Sequence, residues 1–217
     1  MRERLYMVIF TVIMASFAAA ILTFANTQLK KYIDQNKKLE VYENVLKVFD
    51  IPFSREADFD EIERIYNAHI SVEKRNGIDV YTGYETEAKT EDELLGYAFK
   101  ITGPGFWGKI TGFLALKPGL ETIRGITFFE HEETPGLGGR IDEKDFQQQF
   151  IGKKIYPEGS NEPLIVISPP GTDPFGDSVR NKPQNEVDAI TGASETSRAM
   201  ERFMNKCIKD FISVMKK

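Results

Sequence analysis

The sequence predicts an α+β protein, in which a single N-terminal transmembrane helix is followed by one mixed α/β domain. Three observations lead to this prediction. An uncharged apolar run occupies residues 5–25, four strand-like segments lie between residues 77 and 130, and the chain ends in an amphipathic helical segment. The chain has 217 residues, of which 41% are hydrophobic and 28% charged, as is typical of one folded domain.

The N-terminal run reads LYMVIFTVIMASFAAAILTFA and contains no charged residue. At a rise of about 1.5 Å per residue it is long enough to cross a hydrocarbon core of about 30 Å. A cleaved signal peptide is the alternative, because the alanines at 18–20 resemble a cleavage site. The run continues beyond them through Ile21, Leu22 and Phe24, past a usual signal core of about 7–15 residues. This favours a retained membrane helix at residues 5–27.

A stalk helix is predicted after the membrane segment, because apolar residues recur at helical spacing between Leu29 and Phe49. A second, short helix is predicted at residues 58–70, with Asp58 or Asp60 as its N-cap. We therefore divide the chain into a tail at 1–4, the membrane helix at 5–27, a stalk and linker at 28–55 and one domain at 56–217.

The predicted elements of the domain follow from alternating apolar residues, glycine and proline breaks, and helical spacing. Strands are predicted at residues 77–85, 94–101, 109–118, 123–130 and 163–169, and helices at residues 142–155 and 195–215, with a Pro/Gly-rich loop at 169–185. The last helix carries one apolar stripe from Met200 to Met215, and we expect this stripe to pack against the sheet.

Composition excludes several classes of function. The net charge of −5, without a basic run interleaved with aromatics, argues against a nucleic-acid partner. One cysteine and two histidines cannot supply an iron–sulfur cluster, a haem attachment motif or a Cys/His zinc site, so we predict no metal site. The sequence contains no recognisable catalytic pair of residues. Any redox cofactor must then be organic.

The segment DAITGASETSRAM, residues 188–200, places four hydroxyl residues around the start of the last helix. We predict that Ser194 is the N-cap and that Thr196 lies on the surface in the first helical turn. The backbone N–H groups there have no intrahelical partner and favour an anion. Gly192 and Ala193 carry no bulky side chain, which leaves the approach open. Taken alone, the Thr-Gly-Ala-Ser motif favours a simple capped helix with spare hydroxyls on its solvent side.

This segment strongly resembles the flavinylation signature of the FMN-binding subunits of two ion-translocating complexes. These subunits are RnfG of the Rnf complex and NqrC of the Na⁺-translocating NADH:quinone reductase, Nqr. Two further stretches resemble the same family, namely HEETPGLGGRI at residues 131–141 and GPGFWGKI at residues 103–110. The form of the signature is nearer to the Rnf branch. Serine at 194, where threonine is commoner in the family, is a mild departure that keeps the hydroxyl.

The resemblance implies FMN joined through a phosphoester bond to Thr196, made from FAD by a flavin transferase. It also implies that electrons pass between this flavin and other subunits of a membrane redox complex that moves Na⁺ or H⁺. The other residues implied in cofactor binding are Thr191, Gly192, Ala193, Ser194, Glu133, Thr134, Gly136, Leu137 and Trp107.

Two alternatives to this interpretation are open. One is a membrane-tethered protein that binds a phosphorylated ligand without a covalent bond, and the other is a free-standing FMN-domain reductase.

The resemblance also implies an orientation, with the domain on the outer, periplasmic side of the cytoplasmic membrane and lipid contact through residues 5–27. A count of flanking charges predicts the opposite, because basic residues are more numerous after the helix. These residues are Arg2 and Arg4 before it, and Lys30, Lys31, Lys37 and Lys38 after it. Lys37 and Lys38 are on the stalk, so we expect them to be too far from the membrane to decide the orientation.

Overall fold

The computed structural model describes residues 2–170 and 183–216, and the chain divides into two compact units, Met1–Val41 and Tyr42–Lys217. The first unit is purely helical and belongs to a long helix, α1, which spans Arg2–Val48. In the described part of the chain, this is the one helix long and apolar enough to cross a membrane. Its large apolar side chains from Leu5 to Phe24 are all exposed.

The second unit combines an antiparallel sheet with helices. Its elements are α2 (Phe59–His69), β1 (Ile70–Arg75), β2 (Ile78–Tyr84), β3 (Leu94–Pro104), β4 (Lys109–Leu116), β5 (Ile123–Glu130), α3 (Lys144–Gln148), β6 (Val166–Ser168), β7 (Glu186–Asp188) and α4 (Ser194–Met215). Short 3₁₀ helices occur at Glu91–Glu93 and Gly138–Asp142. The predicted mixed α/β fold is confirmed.

The main sheet is a five-stranded antiparallel meander in the order β1-β2-β3-β4-β5. β4 is buried from Ile110 to Leu116, since both faces of the sheet are covered there. β3 and β4 form a hairpin in which Pro104 pairs with Lys109. This register leaves residues 105–108 as the hairpin tip.

Helix α4 covers one face of the sheet. The ring of Phe211 stacks on Phe99 of β3, with centroids 4.0 Å apart. Nearer the site, Gly103 lets the helix approach, because a Cβ there would lie 2.2 Å from Phe203 Cβ. The buried stripe predicted for this helix is confirmed, with Met200, Phe203, Met204, Ile208, Phe211 and Ile212 in the core.

The end of α1 belongs to the folded domain. Val45, Leu46 and Phe49 are fully buried, and Arg124 of β5 donates to the Phe49 carbonyl oxygen at 3.0 Å. Tyr42 stacks on Tyr66 of α2 with centroids 4.1 Å apart. The compact unit accordingly begins at Tyr42.

A two-stranded parallel sheet, β6 with β7, lies against α4. Asn205 of α4 binds both the N–H and the carbonyl oxygen of Ile165 at 2.7 Å, and Glu201 accepts from Ile167 N at 2.7 Å. β7 then leads directly into the turn before α4. The loop predicted at 169–185 lies largely outside the described residues, as residues 171–182 are not described.

Two local predictions need correction. β1 was not predicted, because Ile70–Arg75 is an edge strand with mostly exposed, partly charged side chains and a weak apolar signal. The helix predicted at 142–155 is wrong beyond Gln148. Its C-terminal part instead pairs with the chain around Ile123, which donates to Lys153 O at 2.8 Å and accepts from Gly152 N at 2.9 Å. The prediction of α2 is confirmed, with Asp58 as its N-cap.

Candidate functional site

Three chain segments that are distant in sequence meet at one end of the domain. They are the hairpin tip at residues 105–108, the loop at residues 131–139 that follows β5, and the start of α4. Glu133 joins them, because its carboxylate accepts hydrogen bonds from the hairpin tip and from Thr196. The hairpin tip and the loop belong to the two stretches that resemble the same family as the segment around Thr196, and the fold brings all three together.

Glu133 is 4% exposed and is held at both carboxylate oxygens. Oε1 accepts from the backbone N–H groups of Phe106 at 2.8 Å and Trp107 at 3.0 Å. Oε2 accepts from Thr196 Oγ1 at 2.6 Å, a short distance typical of a bond to a charged acceptor. These three donors compensate for much of the cost of burying the carboxylate. Glu133, one of the residues implied in cofactor binding, is thus fixed beside Thr196.

Thr196 was expected on the surface, and this expectation is wrong: the residue is 3% exposed. The reason is tertiary, because the 131–139 loop lies over the first turn of α4. Gly138 of that loop passes so close that a Cβ there would be 2.6 Å from Thr196 Oγ1 and 2.7 Å from Glu133 Oε2. Gly105 is equally constrained on the hairpin side, because a Cβ there would lie 2.4 Å from Glu133 Oε1. Two glycines therefore make room for the Thr196–Glu133 pair.

The turn before α4 differs from its prediction in one respect. Ala193, not Ser194, is the N-cap, and Ser194 is the first helical residue, with an exposed side chain. The hydroxyl that stabilises the turn belongs to Ser197, which accepts from Ile190 N at 3.1 Å and donates to Ala193 O at 3.0 Å. Gly192 has φ +82°, a conformation that favours glycine. The sequence could not distinguish which of the hydroxyls would serve the turn.

The start of α4 lacks a side-chain cap. Ala193 cannot provide one, and no side chain within the described residues accepts from the first-turn N–H groups. Those groups, with the helix dipole, favour an anion. Thr191, Gly192, Ser194 and Glu195 around them are exposed, so the helix start opens to solvent.

Apolar side chains beside the helix start are exposed. Leu137 is 45% exposed and its Cδ2 lies 3.2 Å from where a Cβ of Gly192 would be. Trp107, 66% exposed, packs edge-on against Phe106 at the hairpin tip, with ring centroids 5.0 Å apart. Phe106, 54% exposed, was not singled out from the sequence. Its position directly before Trp107 in the sequence could have indicated that it belongs to the same site.

The loop itself is held by short-range bonds. Gly139 N donates to Thr134 O at 2.9 Å, and Gly136 between them has φ +74°. Glu133 N donates to His131 Nδ1 at 3.3 Å, and His131 Nε2 lies 3.6 Å from Asp142 Oδ2. With Nδ1 accepting, the neutral ring carries its proton on Nε2, toward Asp142.

Among the loop residues predicted to bind the cofactor, Thr134 and Gly136 are exposed, and Leu137 borders the Gly192 turn. Of the predicted loop residues, Glu133 is the one that bonds to Thr196. The loop thus presents one buried carboxylate to the helix and an exposed apolar side chain to solvent.

The described residues contain no group of three or more His, Cys, Asp or Glu side chains placed to hold a metal ion. Cys207 of α4 lies outside the site, and burial raises the pKa of its thiol. The site thus offers an uncapped helix start, a buried hydroxyl beside a carboxylate, and exposed apolar side chains. An anionic group attached to a flat apolar ring system fits this set of features.

Part of the domain matches a known family. Residues 105–209 match the family model of the FMN-binding domain, and this range contains all three converging segments. FMN, with its phosphate and its ring, fits the features of the site.

Curated relatives show the same similarity. NqrC of the Na⁺-translocating NADH-quinone reductase of Neisseria meningitidis serogroup B is 38% identical over 114 residues, which is 52% of this chain and 41% of that protein. The Pseudomonas aeruginosa NqrC is 30% identical over 135 residues, 62% and 48% of the two chains. The matches thus cover somewhat less than half of these relatives. The predicted resemblance to the FMN-binding subunits of the Nqr and Rnf type is confirmed.

Solved structures agree on the fold. The crystal structure of the Parabacteroides distasonis NqrC superposes with a TM-score of 0.68 at 22% identity, covering 87% of this chain and 98% of that one. Shewanella oneidensis NqrC gives a TM-score of 0.58 at 20% identity, covering 78% and 90%. The mixed α/β fold of the domain is therefore one that this chain shares with known proteins.

Proposed function

We propose that this protein is a membrane-anchored electron-carrier subunit of an Nqr- or Rnf-type complex, with FMN joined to Thr196 by a phosphoester bond. Residues 5–27 anchor it in the cytoplasmic membrane, and the domain faces the outer, periplasmic side. Other subunits of the complex exchange electrons with the flavin, and a flavin transferase attaches it. The relatives that match this chain are NqrC proteins, which favours the Nqr branch. The Thr-Gly-Ala-Ser form of the signature favours the Rnf branch instead.

The observation that carries this proposal is the position of Thr196. It lies in the first turn of an uncapped helix, directly after the Thr191–Ser194 turn, in a domain of the FMN-binding family. A phosphate on its Oγ1 is within the influence of the free N–H groups and the positive end of the helix dipole. The hydroxyl, the N–H groups and the open turn are what attachment at this residue requires.

The remaining site residues suit the rest of the cofactor. Leu137 offers exposed apolar surface beside the turn, Trp107 offers more at the hairpin tip, and Gly192 leaves the approach to the turn free of side-chain bulk. When bound, FMN supplies the capacity to accept and donate electrons. A covalent tether replaces bimolecular binding by a high effective concentration, so a shallow, open site is sufficient to keep the cofactor in place. An open site also suits exchange of electrons with a neighbouring subunit.

The test is the Thr196→Ala variant, produced with a flavin transferase alongside the wild type. The wild-type chain should stay fluorescent in a denaturing gel and gain the mass of FMN less water on the peptide that contains Thr196. The variant lacks the hydroxyl and should carry no covalent flavin. Because Glu133 also loses a donor, we expect the free energy of unfolding to fall by about 1–3 kcal/mol.

Ser194→Ala is the matched control, since it removes an exposed hydroxyl two residues away and should keep the flavin. Covalent flavin on Thr196→Ala would contradict the proposal. Flavin that leaves the wild type on denaturation would instead support a non-covalent binding protein. A folded, flavin-loaded chain that reduces a small substrate without partner subunits would support the reductase alternative.

A further inference from the structure

We infer that Glu133, which accepts a hydrogen bond from the Thr196 hydroxyl, takes up the hydroxyl proton when Thr196 is joined to the flavin phosphate. This inference rests on the proposed attachment at Thr196 and assigns the chain itself a part in that reaction. The resemblance implies only that Glu133 takes part in cofactor binding, and the structure places its Oε2 2.6 Å from the Thr196 hydroxyl.

The hydrogen bond of Thr196 differs from those of the other helical serine and threonine hydroxyls in the described part of the chain. A helical hydroxyl commonly donates to the backbone carbonyl four residues earlier. Thr11, Thr27 and Ser197 do so here, donating to the carbonyl oxygens of Met7, Thr23 and Ala193 at 2.8–3.0 Å. Thr196 instead donates to a carboxylate 63 positions away in sequence. The fold therefore sets the direction of this one O–H bond by a tertiary contact.

Glu133 is fixed in a way that suits a proton acceptor. Its Oε1 is held by two backbone N–H groups of the hairpin tip, which leaves Oε2 aimed at Thr196. Gly105 and Gly138 provide the space that this arrangement needs. A neutral acceptor would satisfy the threonine hydroxyl at a lower desolvation cost than a buried carboxylate. A hydroxyl paired with a fixed base is the arrangement by which weak oxygen nucleophiles are activated.

The reaction balances as follows. Thr196 Oγ1 attacks the phosphorus of the FMN half of a flavin adenine dinucleotide bound by the transferase, and an Oγ1–P bond forms. The phosphoanhydride P–O bond breaks, and AMP leaves with its electron pair. The hydroxyl proton passes to Glu133 Oε2 and from there to solvent. Thr196 is only 3% exposed, so the reaction requires a local movement that exposes its Oγ1. The phosphorus must then approach Oγ1 from a side that Glu133 does not occupy.

The experiment uses the full chain in detergent, a purified flavin transferase and FAD, and follows covalent incorporation by intact mass. In Glu133→Gln the amide oxygen can still accept from the hairpin tip, while its NH₂ group faces Thr196 and cannot take the proton. We expect kcat for incorporation to fall about 100-fold or more. KM for the acceptor chain and the thermal midpoint should stay close to wild type, a split that a merely structural role would not give.

Glu132→Gln is the matched control, because it removes an exposed neighbouring carboxylate and should leave the rate unchanged. Glu133→Asp is the second variant, in case Glu133→Gln folds poorly. Its shorter carboxylate cannot keep both sets of contacts, so a folded Glu133→Asp chain should also be slow.

Wild-type rates in either Glu133 variant, or an equal loss in Glu132→Gln, would overturn the role of Glu133 alone. A wild-type chain that gains no flavin at Thr196 would overturn the proposed attachment itself.

Discussion

At the scale of single residues, the site depends on one buried hydrogen bond and the glycines around it. Thr196 and Glu133 are 63 positions apart, and both are almost fully buried. The signature motif pointed to Thr196 directly. The contact with Glu133 could not be predicted, because no local pattern specifies which side chain the 131–139 loop will bring to the helix.

Gly138→Ala tests how tightly this pair is packed. A Cβ at 138 would lie 2.6 Å from Thr196 Oγ1 and 2.7 Å from Glu133 Oε2, so the bond must stretch or the loop must move. We expect the free energy of unfolding to fall by about 1–3 kcal/mol. Urea denaturation in detergent, followed by circular dichroism, measures it.

Gly119→Ala is the control, since a Cβ at that position meets no atom within 4 Å. Equal unfolding midpoints for the two alanine variants would show that the loop yields easily and that the pair is not tightly enclosed.

At the scale of secondary-structure elements, α4 connects the core to the site. Its apolar stripe covers the sheet, its first turn carries Thr196, and its middle holds β6 through Asn205 and Glu201. The stripe was predictable, because helical periodicity specifies which face of a helix is buried. The polar contacts to β6 were not, because they depend on where a short strand from elsewhere in the chain lies.

Asn205→Ala tests the link between α4 and the small sheet. Asn205 is 9% exposed and bonds both backbone groups of Ile165, which is itself fully buried. Truncation leaves a donor and an acceptor without partners, and we expect a loss of about 2–4 kcal/mol in the free energy of unfolding. Thermal unfolding monitored by tryptophan fluorescence and circular dichroism checks this.

Lys206→Ala, at the exposed neighbouring position, should change the free energy of unfolding by no more than about 0.5 kcal/mol. If Asn205→Ala is as stable as Lys206→Ala, then the small sheet is held by contacts other than this side chain.

At the scale of the whole molecule, the described residues combine one apolar helix with one mixed α/β domain, of which residues 105–209 match the FMN-binding family. The apolar side chains of the helix are exposed, while the domain has its own core from Val45 to Ile212. In the proposed function, the helix lies in lipid and the domain in water. One span cannot form an ion pathway alone, which is why the proposed function needs other subunits.

The orientation of the domain is tested by a reporter that is active only outside the cytoplasm, fused after Lys217. We expect activity, although the positive charges after the helix outnumber those before it. The fused chain should also stay in the membrane fraction after washing at high pH.

A second reporter, active only in the cytoplasm and fused at the same position, is the control and should be inactive. The opposite pair of results, in stably expressed fusions, would place the domain in the cytoplasm.

The sequence by itself determined the apolar helix, the strands β2 to β5, the buried stripe of α4 and the candidate attachment residue. Each follows from a local pattern, whether apolar periodicity, turn residues or a short motif, and local patterns act through neighbouring backbone. Only the tertiary structure decided that Thr196 is buried, that Ser197 rather than Ser194 stabilises the turn, and that Glu133 receives the threonine hydroxyl. It also ended α3 early, because residues 152–155 pair with the chain around Ile123. These outcomes depend on which polar groups, distant in sequence, become hydrogen-bond partners and so replace the water that each group loses on burial. This pairing is fixed only when the whole chain has packed.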